Sequence, residues 1–186
     1  MSSLTTKKAI AYTFKDLLKQ KAFNKITIND IAEKCDINRQ TFYYHFQDIR
    51  DLVEWICIED IDELLSKKDE YETWEEKFLL VFNVMQEEKI FVENIYHSVS
   101  VEVLRKNLGR LVYPIIYNEI VEKSKGKNLR EEDKKFITDF YKYAFVSIVL
   151  EWIDQDMRED PNIIVSKVSN LVTGTIDHAC LSVNNN

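Results

Sequence analysis

Apolar residues recur at helical spacing along most of the chain. Ile10, Phe14 and Leu17 repeat at i, i+4 and i+7, which predicts a first helix over about residues 6–21. A short helix is predicted after Thr27, a third at about 39–46 and a fourth after Asp48. Beyond residue 66, the pattern predicts helices at about 72–87, 89–97, 100–124, 130–156 and 162–182. With only 3 Gly and 2 Pro in 186 residues, the chain is predicted to be all-α.

Residues at the predicted helix ends define two short helices separated by a tight turn. Thr27 is placed to cap the second helix, and Asp30, three residues later, completes a capping box. Asn38 is placed to cap the third helix, and Asp36 lies where the chain must reverse. Two helices of about eight residues separated by about four are typical of a helix-turn-helix motif, in which the second helix reads DNA.

The third helix carries residue types that recognise DNA. If Phe42 and Phe46 face inward, its outer side presents an arginine and a glutamine that suit guanine and adenine edges, and tyrosines that reach phosphate. The predicted DNA-contacting residues are Thr27, Asn38, Arg39, Gln40, Thr41, Tyr43, Tyr44, His45 and Arg50. Alternatives are a packing role for Tyr43, a structural role for His45, and a plain helical hairpin with a solvated polar face.

Charge is distributed unevenly along the chain. Residues 1–50 hold nine Lys/Arg and five Asp/Glu, a net of +4, whereas residues 51–186 hold sixteen and twenty-seven, a net of -11. A basic N-terminal part on an acidic body suits approach to phosphate from one end only. We therefore predict a DNA-binding domain at 1–50 and an all-helical effector-binding or partner-binding and dimerisation domain at 51–186.

The N-terminal part resembles the tetracycline-repressor (TetR) family in residues 26–32, 38–46 and 51–52. The resemblance implies a three-helix DNA-binding domain at about 1–50, here called the head, and a helical regulatory domain at about 51–186, here called the body. It also implies a homodimer that binds a palindromic double-stranded DNA operator. Two positions depart from the usual pattern. Asp36 replaces a common glycine, and the turn should survive because Asp tolerates a left-handed conformation. Ile49 replaces a common lysine, which leaves open whether Arg50 supplies the phosphate contact.

The C-terminal body is predicted to dimerise through about 130–156 and 162–182. The segment Tyr141 to Trp152 is apolar around most of its circumference, as expected for a helix buried within and between subunits. The last helix carries apolar and small residues at helical spacing: Ile164, Val168, Leu171, Val172, Thr175 and Ala179. The alternative is that both segments form core within one subunit. Pro114 predicts a kink or a division in the helix at 100–124.

An effector cavity in the body is a further expectation. Its candidate lining residues are Trp55, Tyr96, Tyr113, Tyr117, Phe145 and Trp152, each of which could instead be ordinary core. The sequence is also similar to a TetR subgroup that includes an activator of dihydroxyacetone kinase operons, which implies that a partner protein could sense the effector. Either a small molecule or a partner protein is therefore expected to control the head.

Several classes of protein are disfavoured. The three cysteines are far apart and no Cys/His cluster has metal-ligand spacing, so neither a metal site nor a disulfide framework is predicted, and no cofactor is expected. No signal peptide or membrane span is predicted, which favours a cytoplasmic protein. The chain lacks phosphate-loop and nucleophile motifs, so an enzyme is not expected. A helical adaptor or co-activator that depends on a separate ligand-sensing partner is the alternative to a DNA-binding regulator.

Overall fold

The computed structural model describes residues 3–67, 71–127, 129–172 and 174–176. Nine α-helices and one 3-10 turn (Phe23–Lys25) are found in this part of the chain. The helices are α1 (Ser3–Leu18), α2 (Ile28–Lys34), α3 (Arg39–His45), α4 (Ile49–Lys67), α5 (Trp74–Glu87), α6 (Lys89–Tyr96), α7 (Val101–Lys123), α8 (Glu131–Asp154) and α9 (Pro161–Val172). The all-α prediction is confirmed.

The N-terminal helices share a core of their own. Phe14 of α1, Ile31 of α2 and Phe42 of α3 are fully buried in one apolar cluster. Leu52 of α4 and Phe91 of α6 belong to the same cluster, so the core of the head draws on residues well beyond position 50. The head therefore rests on α4 and α6 and is not an independent unit tethered by a linker.

The body is built around the long pair α7 and α8. Val112 and Ile120 of α7 and Val149 of α8 are fully buried in a second apolar cluster, and α5 and α9 pack on that cluster through Phe78 and Ile164. No helix of the described residues is long and apolar enough to cross a membrane. The same residues contain no group of three or more His, Cys, Asp or Glu side chains that could hold a metal ion.

Two predicted features of the helices need correction, and a third lies partly outside the described residues. α1 begins at Ser3 and ends at Leu18, because residues 19–21 bond back to Asp16 and Leu17 in a closing turn. α7 is not divided at Pro114, since buried residues on both sides of the proline hold the helix against its neighbours. α9 is assigned only from Pro161 to Val172, and the predicted continuation through 177–182 lies outside the described residues.

The faces of α8 and α9 also differ from the prediction. Ile164 and Val168 lie in the core of the subunit, so they are not available to a partner. The apolar side chains that remain exposed are Phe136, Phe140 and Tyr143 on α8 and Ile163 and Leu171 on α9. α8 is therefore apolar toward its own core and, on another side, toward solvent.

Candidate nucleic-acid interface

The turn between α2 and α3 is fixed by bonds between near neighbours. The Thr27 hydroxyl accepts from the Asp30 backbone N–H at 3.2 Å, and the Asp30 carboxylate accepts from the Thr27 N–H at 2.8 Å, which confirms the capping box. Asn38 caps α3 by accepting from the Thr41 N–H at 2.7 Å. Asp36 has φ 53°, so it adopts the left-handed conformation predicted for the turn. These contacts fix where each helix begins and where the chain reverses between them.

Buried phenylalanines orient α3. Phe42 and Phe46 are 0% and 2% exposed, and their ring centroids lie 5.8 Å apart. Lys7 of α1 covers this end of the head, with its ammonium 5.2 Å from the Phe46 ring centroid and 5.4 Å from that of Trp55. With one side of α3 anchored in this way, the opposite side must face solvent.

The solvent-facing side of α3 carries four of the predicted DNA-contacting residues. Arg39 and Gln40 are exposed, and Tyr43 and Tyr44 are 48% and 80% exposed. The Arg39 guanidinium donates to the Tyr43 hydroxyl at 3.2 Å and lies 5.8 Å from the ring centroid. Tyr43 is therefore exposed and also holds the Arg39 side chain in place, an arrangement that sequence alone does not reveal.

Four other predicted contact residues are engaged in the head itself. The Thr41 hydroxyl donates to the Asn38 side chain at 3.0 Å, so Asn38 and Thr41 act together as the cap. His45 is half-buried and its ring packs on Tyr44 at 5.0 Å between centroids. Thr27 has both its N–H and its hydroxyl donating to Asp30 at 2.8 Å. A phosphate at Thr27 would have to displace that carboxylate.

Asp30 has a second partner, Lys21, that stabilises its ionised carboxylate. Lys21 donates to the Asp30 carboxylate at 2.6 Å, and this bond, together with those from Thr27, lowers the Asp30 pKa from 3.8 to about 2. The start of α2 is thus an anionic cap with a lysine beside it. Lys21 was not among the residues singled out from the sequence, and its role in the structure is this ion pair with Asp30.

The first two residues of α4 have different surroundings. Ile49 packs against the head cluster, which explains an apolar residue at this position. Arg50 is exposed and lines a groove together with Ser98 and Ser100, between α6 and α7. Whether Arg50 reaches phosphate stays a prediction.

The six residues predicted to line an effector cavity are not gathered around one cavity. Phe145 lies 4.1 Å from Phe78 between ring centroids, and Trp152 lies 4.8 Å from Phe82, so both are core. Trp55 packs on Phe46 in the head. Tyr113 and Tyr117 stack on each other at 5.8 Å along α7, where the Tyr117 hydroxyl donates to Glu131 at 2.6 Å.

Tyr113 lines an open groove between α7 and α8, whereas Tyr96 lines a cavity inside the body. The cavity has a volume of about 120 Å³ and lies between α4, α5, α6 and α7. Its walls are mostly aliphatic, with Phe91, and its polar members are Cys57, Asp60, Glu88, Tyr96 and Asn107. The sequence does not predict this cavity, because most of its lining consists of apolar residues on separate helices, and each of them looks like ordinary core.

Two polar residues of the cavity wall have pKa values that burial raises. Burial raises the pKa of the Cys57 thiol to about 12, with a further contribution from the nearby Asp60 charge. Burial also raises the pKa of Asp60, against the opposing effect of the Lys15 ammonium 2.9 Å away. Lys15 belongs to α1, so a residue of the head touches the wall of the body cavity.

Comparison with known proteins places this arrangement in a family. Residues 15–56 match the bacterial regulatory proteins of the tetR family, and residues 72–174 match the C-terminal region of such transcriptional regulators. The chain is 31% identical over 159 residues, 81% of each protein, to the HTH-type dhaKLM operon transcriptional activator DhaS of Lactococcus lactis.

Solved structures agree with that match. A structure of the dihydroxyacetone kinase operon activator DhaS superposes with a TM-score of 0.72 and 27% identity, covering 93% of this chain and 97% of the other. The Thermus thermophilus regulator FadR, a transcriptional repressor solved with lauroyl-CoA, superposes with a TM-score of 0.59 at 14% identity over 90% and 93% of the two chains, a likeness of fold. This chain belongs to the TetR family of bacterial transcriptional regulators, which are DNA-binding helix-turn-helix proteins and not enzymes.

Proposed function

We propose that the protein is a cytoplasmic homodimer that binds a palindromic operator, with one α3 helix in each of two successive major grooves. The observation that carries the proposal is the exposed surface of Arg39, Gln40, Tyr43 and Tyr44 on a short helix held by caps and by Phe42. Arg and Gln can each make paired bonds to a base edge, while tyrosine hydroxyls suit phosphate. The +4 head favours approach of this end to DNA.

The exposed apolar side of α8 and α9 supports the dimer. Phe136, Phe140 and Tyr143 are 72%, 64% and 62% exposed and follow one side of α8 at helical spacing. Leu171 adds an apolar side chain on α9 that is 74% exposed. Monomeric proteins seldom leave so many large apolar side chains along one surface, and a second copy of the same surface would cover them.

Control of the head is proposed to act through the body. The cavity between α4 and α7 is slightly smaller than the engineered apolar cavity of about 150 Å³ that binds benzene, so it suits a small ligand or one that widens it. The alternative source of control is a partner protein bound to the body. In either case the ligand acts by its different affinity for the two arrangements of the heads.

The sign of regulation is taken from the relative. DhaS is named a transcriptional activator and resembles this chain over most of both proteins, so we propose that this protein activates its target operon. A reporter placed behind the upstream DNA of its neighbouring operon should lose expression when the gene is deleted. Expression that rises on deletion would contradict activation and leave the DNA-binding proposal intact.

Fluorescence anisotropy tests whether α3 is the helix that recognises DNA. DNA fragments selected from the genome by the purified protein serve as probes, and Arg39→Ala should weaken binding by about 1–3 kcal/mol, which is roughly 5-fold to 150-fold. The matched control is Arg105→Ala, which removes the same charge from an exposed position on α7 of the body. Equal affinity of Arg39→Ala and wild type, or an equal loss in both variants, would overturn the assignment of α3.

Salt dependence tests the phosphate contacts. Binding to the selected DNA should fall steeply as salt rises, because each phosphate contact releases counterions. An affinity that is insensitive to salt would contradict the proposed docking. An adaptor that binds only protein would select no DNA at all.

A further inference from the structure

The cations of the head fall into two groups, according to whether a carboxylate lies within ion-pair distance. Four of the nine Lys and Arg side chains in residues 1–50 pair with an Asp or Glu at 4.0 Å or less: Lys15, Lys19, Lys21 and Lys34. Within the described part of the chain, no ion pair is found for the other five, which are Lys7, Lys8, Lys25, Arg39 and Arg50. These five carry the positive charge of the head that is not locally compensated, and such charge attracts phosphate.

Lys7 is held at a defined place although it has no carboxylate partner among the described residues. Its ammonium lies 5.2 Å from the Phe46 ring centroid and 5.4 Å from that of Trp55, and the two ring centroids are 5.7 Å apart. Phe46 is the residue at which α3 ends, and Trp55 lies on α4. The Lys7 ammonium therefore lies where the end of α3 meets α1 and α4.

The start of α1 lies at the same end of the head as the end of α3. In the first half of both helices, Lys7 of α1 lies over Trp55 of α4. Further along both, Lys15 pairs with Asp60, so α1 and α4 run side by side in the same direction. α4 begins shortly after α3 ends, and its first turn carries the exposed Arg50. Lys7 and Arg50 thus lie toward the end of α3, whereas the paired Lys15 lies toward the body.

The hold on Lys7 is compatible with a contact to DNA. A helix in the major groove, which is about 12 Å wide, is bordered by the phosphates of both strands, so a lysine beside the end of that helix can reach the backbone. A cation–π interaction at a half-exposed position stabilises less than a charge-assisted hydrogen bond to phosphate. The nearby carboxylates of Asp48 and Asp51 accept from backbone N–H groups at 2.9 and 2.8 Å and do not pair with Lys7.

We propose that Lys7 leaves the Phe46 and Trp55 rings on operator binding and donates to a backbone phosphate at the edge of the major groove that α3 enters. This inference rests on the proposed docking of α3. The contact carries no sequence information, so it adds affinity for any double-stranded DNA and leaves base preference to Arg39 and Gln40. None of the DNA-contacting residues predicted from the sequence lies on α1, and the contact therefore extends the DNA-binding surface to a further helix.

The salt dependence of DNA binding tests this contact. Fluorescence anisotropy gives the dissociation constants of full-length wild type and Lys7→Gln for the genome-selected DNA at about 50 mM and about 200 mM salt. One phosphate contact contributes about 0.9 to the slope of the logarithm of affinity against the logarithm of salt concentration, and the proposed dimer makes two such contacts. The ratio of the variant constant to the wild-type constant should therefore fall about tenfold between the two salt concentrations.

Two further variants control for charge and for structure. Lys19→Gln removes the same charge from the same end of the chain, at a side chain that pairs with Asp16, and its salt slope should equal that of wild type. Lys7→Arg keeps the charge and should keep the slope. A purely structural role of Lys7 would lower the folded fraction of Lys7→Gln, which changes the apparent affinity by one factor at both salt concentrations and leaves the slope unchanged. Circular dichroism at both concentrations checks the folded fraction.

The outcomes separate this inference from the proposed function. A wild-type slope for Lys7→Gln, or an equal fall in slope for Lys19→Gln, would overturn the role of Lys7 and leave the docking of α3 intact. Arg39→Ala should reduce the preference for selected over unrelated DNA, whereas Lys7→Gln should leave that preference unchanged. A lost preference in Lys7→Gln would indicate a base contact and contradict the phosphate contact. Wild-type protein that binds no DNA would overturn both proposals.

Discussion

Replacement of Phe140 by alanine should dissociate the proposed dimer. Phe140 is on α8 and is 64% exposed in the single chain. A buried aromatic side chain covers roughly 200 Å², and alanine would give up roughly 100 Å² of the part that a partner could cover. At about 25 cal/mol per Å², this is ~2.5 kcal/mol per protomer and ~5 kcal/mol for a symmetric pair.

The expected effect is smaller than this upper bound. Part of the ring can stay exposed in the dimer, and neighbouring side chains can relax into the space. We therefore expect the dimer dissociation constant to rise at least about a hundredfold, which corresponds to about 2.7 kcal/mol. Sedimentation equilibrium from nanomolar to about 100 µM protein measures both constants on one scale.

A matched variant controls for the loss of an exposed aromatic ring. Tyr12 on α1 is 75% exposed and lies outside the α8 and α9 surface, so Tyr12→Ala should leave the dissociation constant unchanged. The reasoning would be refuted by a wild-type protein that is monomeric over the whole range. It would also be refuted if Phe140→Ala dimerised within about threefold of wild type, which is below 1 kcal/mol.

Three further predictions concern local features. Asn38→Ala removes the bond to the Thr41 N–H and should lower the free energy of unfolding by about 1 kcal/mol in urea titrations, whereas Asn38→Asp should retain the cap; equal midpoints for the alanine variant and wild type would contradict this. Because the Asp30 pKa is about 2 in the folded chain against 3.8 ordinarily, its contribution to stability is present above about pH 4 and is lost as the pH falls toward 2. The stability gap between wild type and Asp30→Asn should therefore shrink over that interval, and a constant gap would argue against the Lys21 contact. Cys57, with its pKa raised to about 12, should react very slowly with iodoacetamide at pH 8 until the protein is unfolded, as followed by peptide mass spectrometry; rapid modification of the folded protein would show an open site.

The helix-turn-helix could be predicted from the sequence because the contacts that define it are local. Thr27 bonds to a residue three positions away, and so does Asn38. Caps of this kind depend on residue type and spacing alone. The left-handed conformation of Asp36 follows from the same reasoning, since the chain must reverse within a few residues.

The cavity could not be predicted because it depends on how four helices meet. Asp60 and Glu88 are 28 positions apart and approach one another only when α4 packs beside the start of α6. The aromatic residues that seemed suitable for a cavity instead pair with other rings, as Phe145 does with Phe78. A periodic pattern indicates which side of a helix is buried, but it does not indicate which buried side is left incompletely filled.

The unbroken course of α4 has a mechanical consequence. Val53 and Ile56 lie in the head cluster, and Ile61 and Leu64 line the cavity, all on one helix of 19 residues. At 1.5 Å per residue the helix is roughly 28 Å long, so a tilt of about 10° about one end moves the other end by about 5 Å. In a symmetric pair the two displacements add to about 10 Å, a large fraction of the ~34 Å that separates successive major grooves. In the proposed dimer, a small rearrangement at the cavity would thus be enough to bring the two α3 helices into or out of register with one operator.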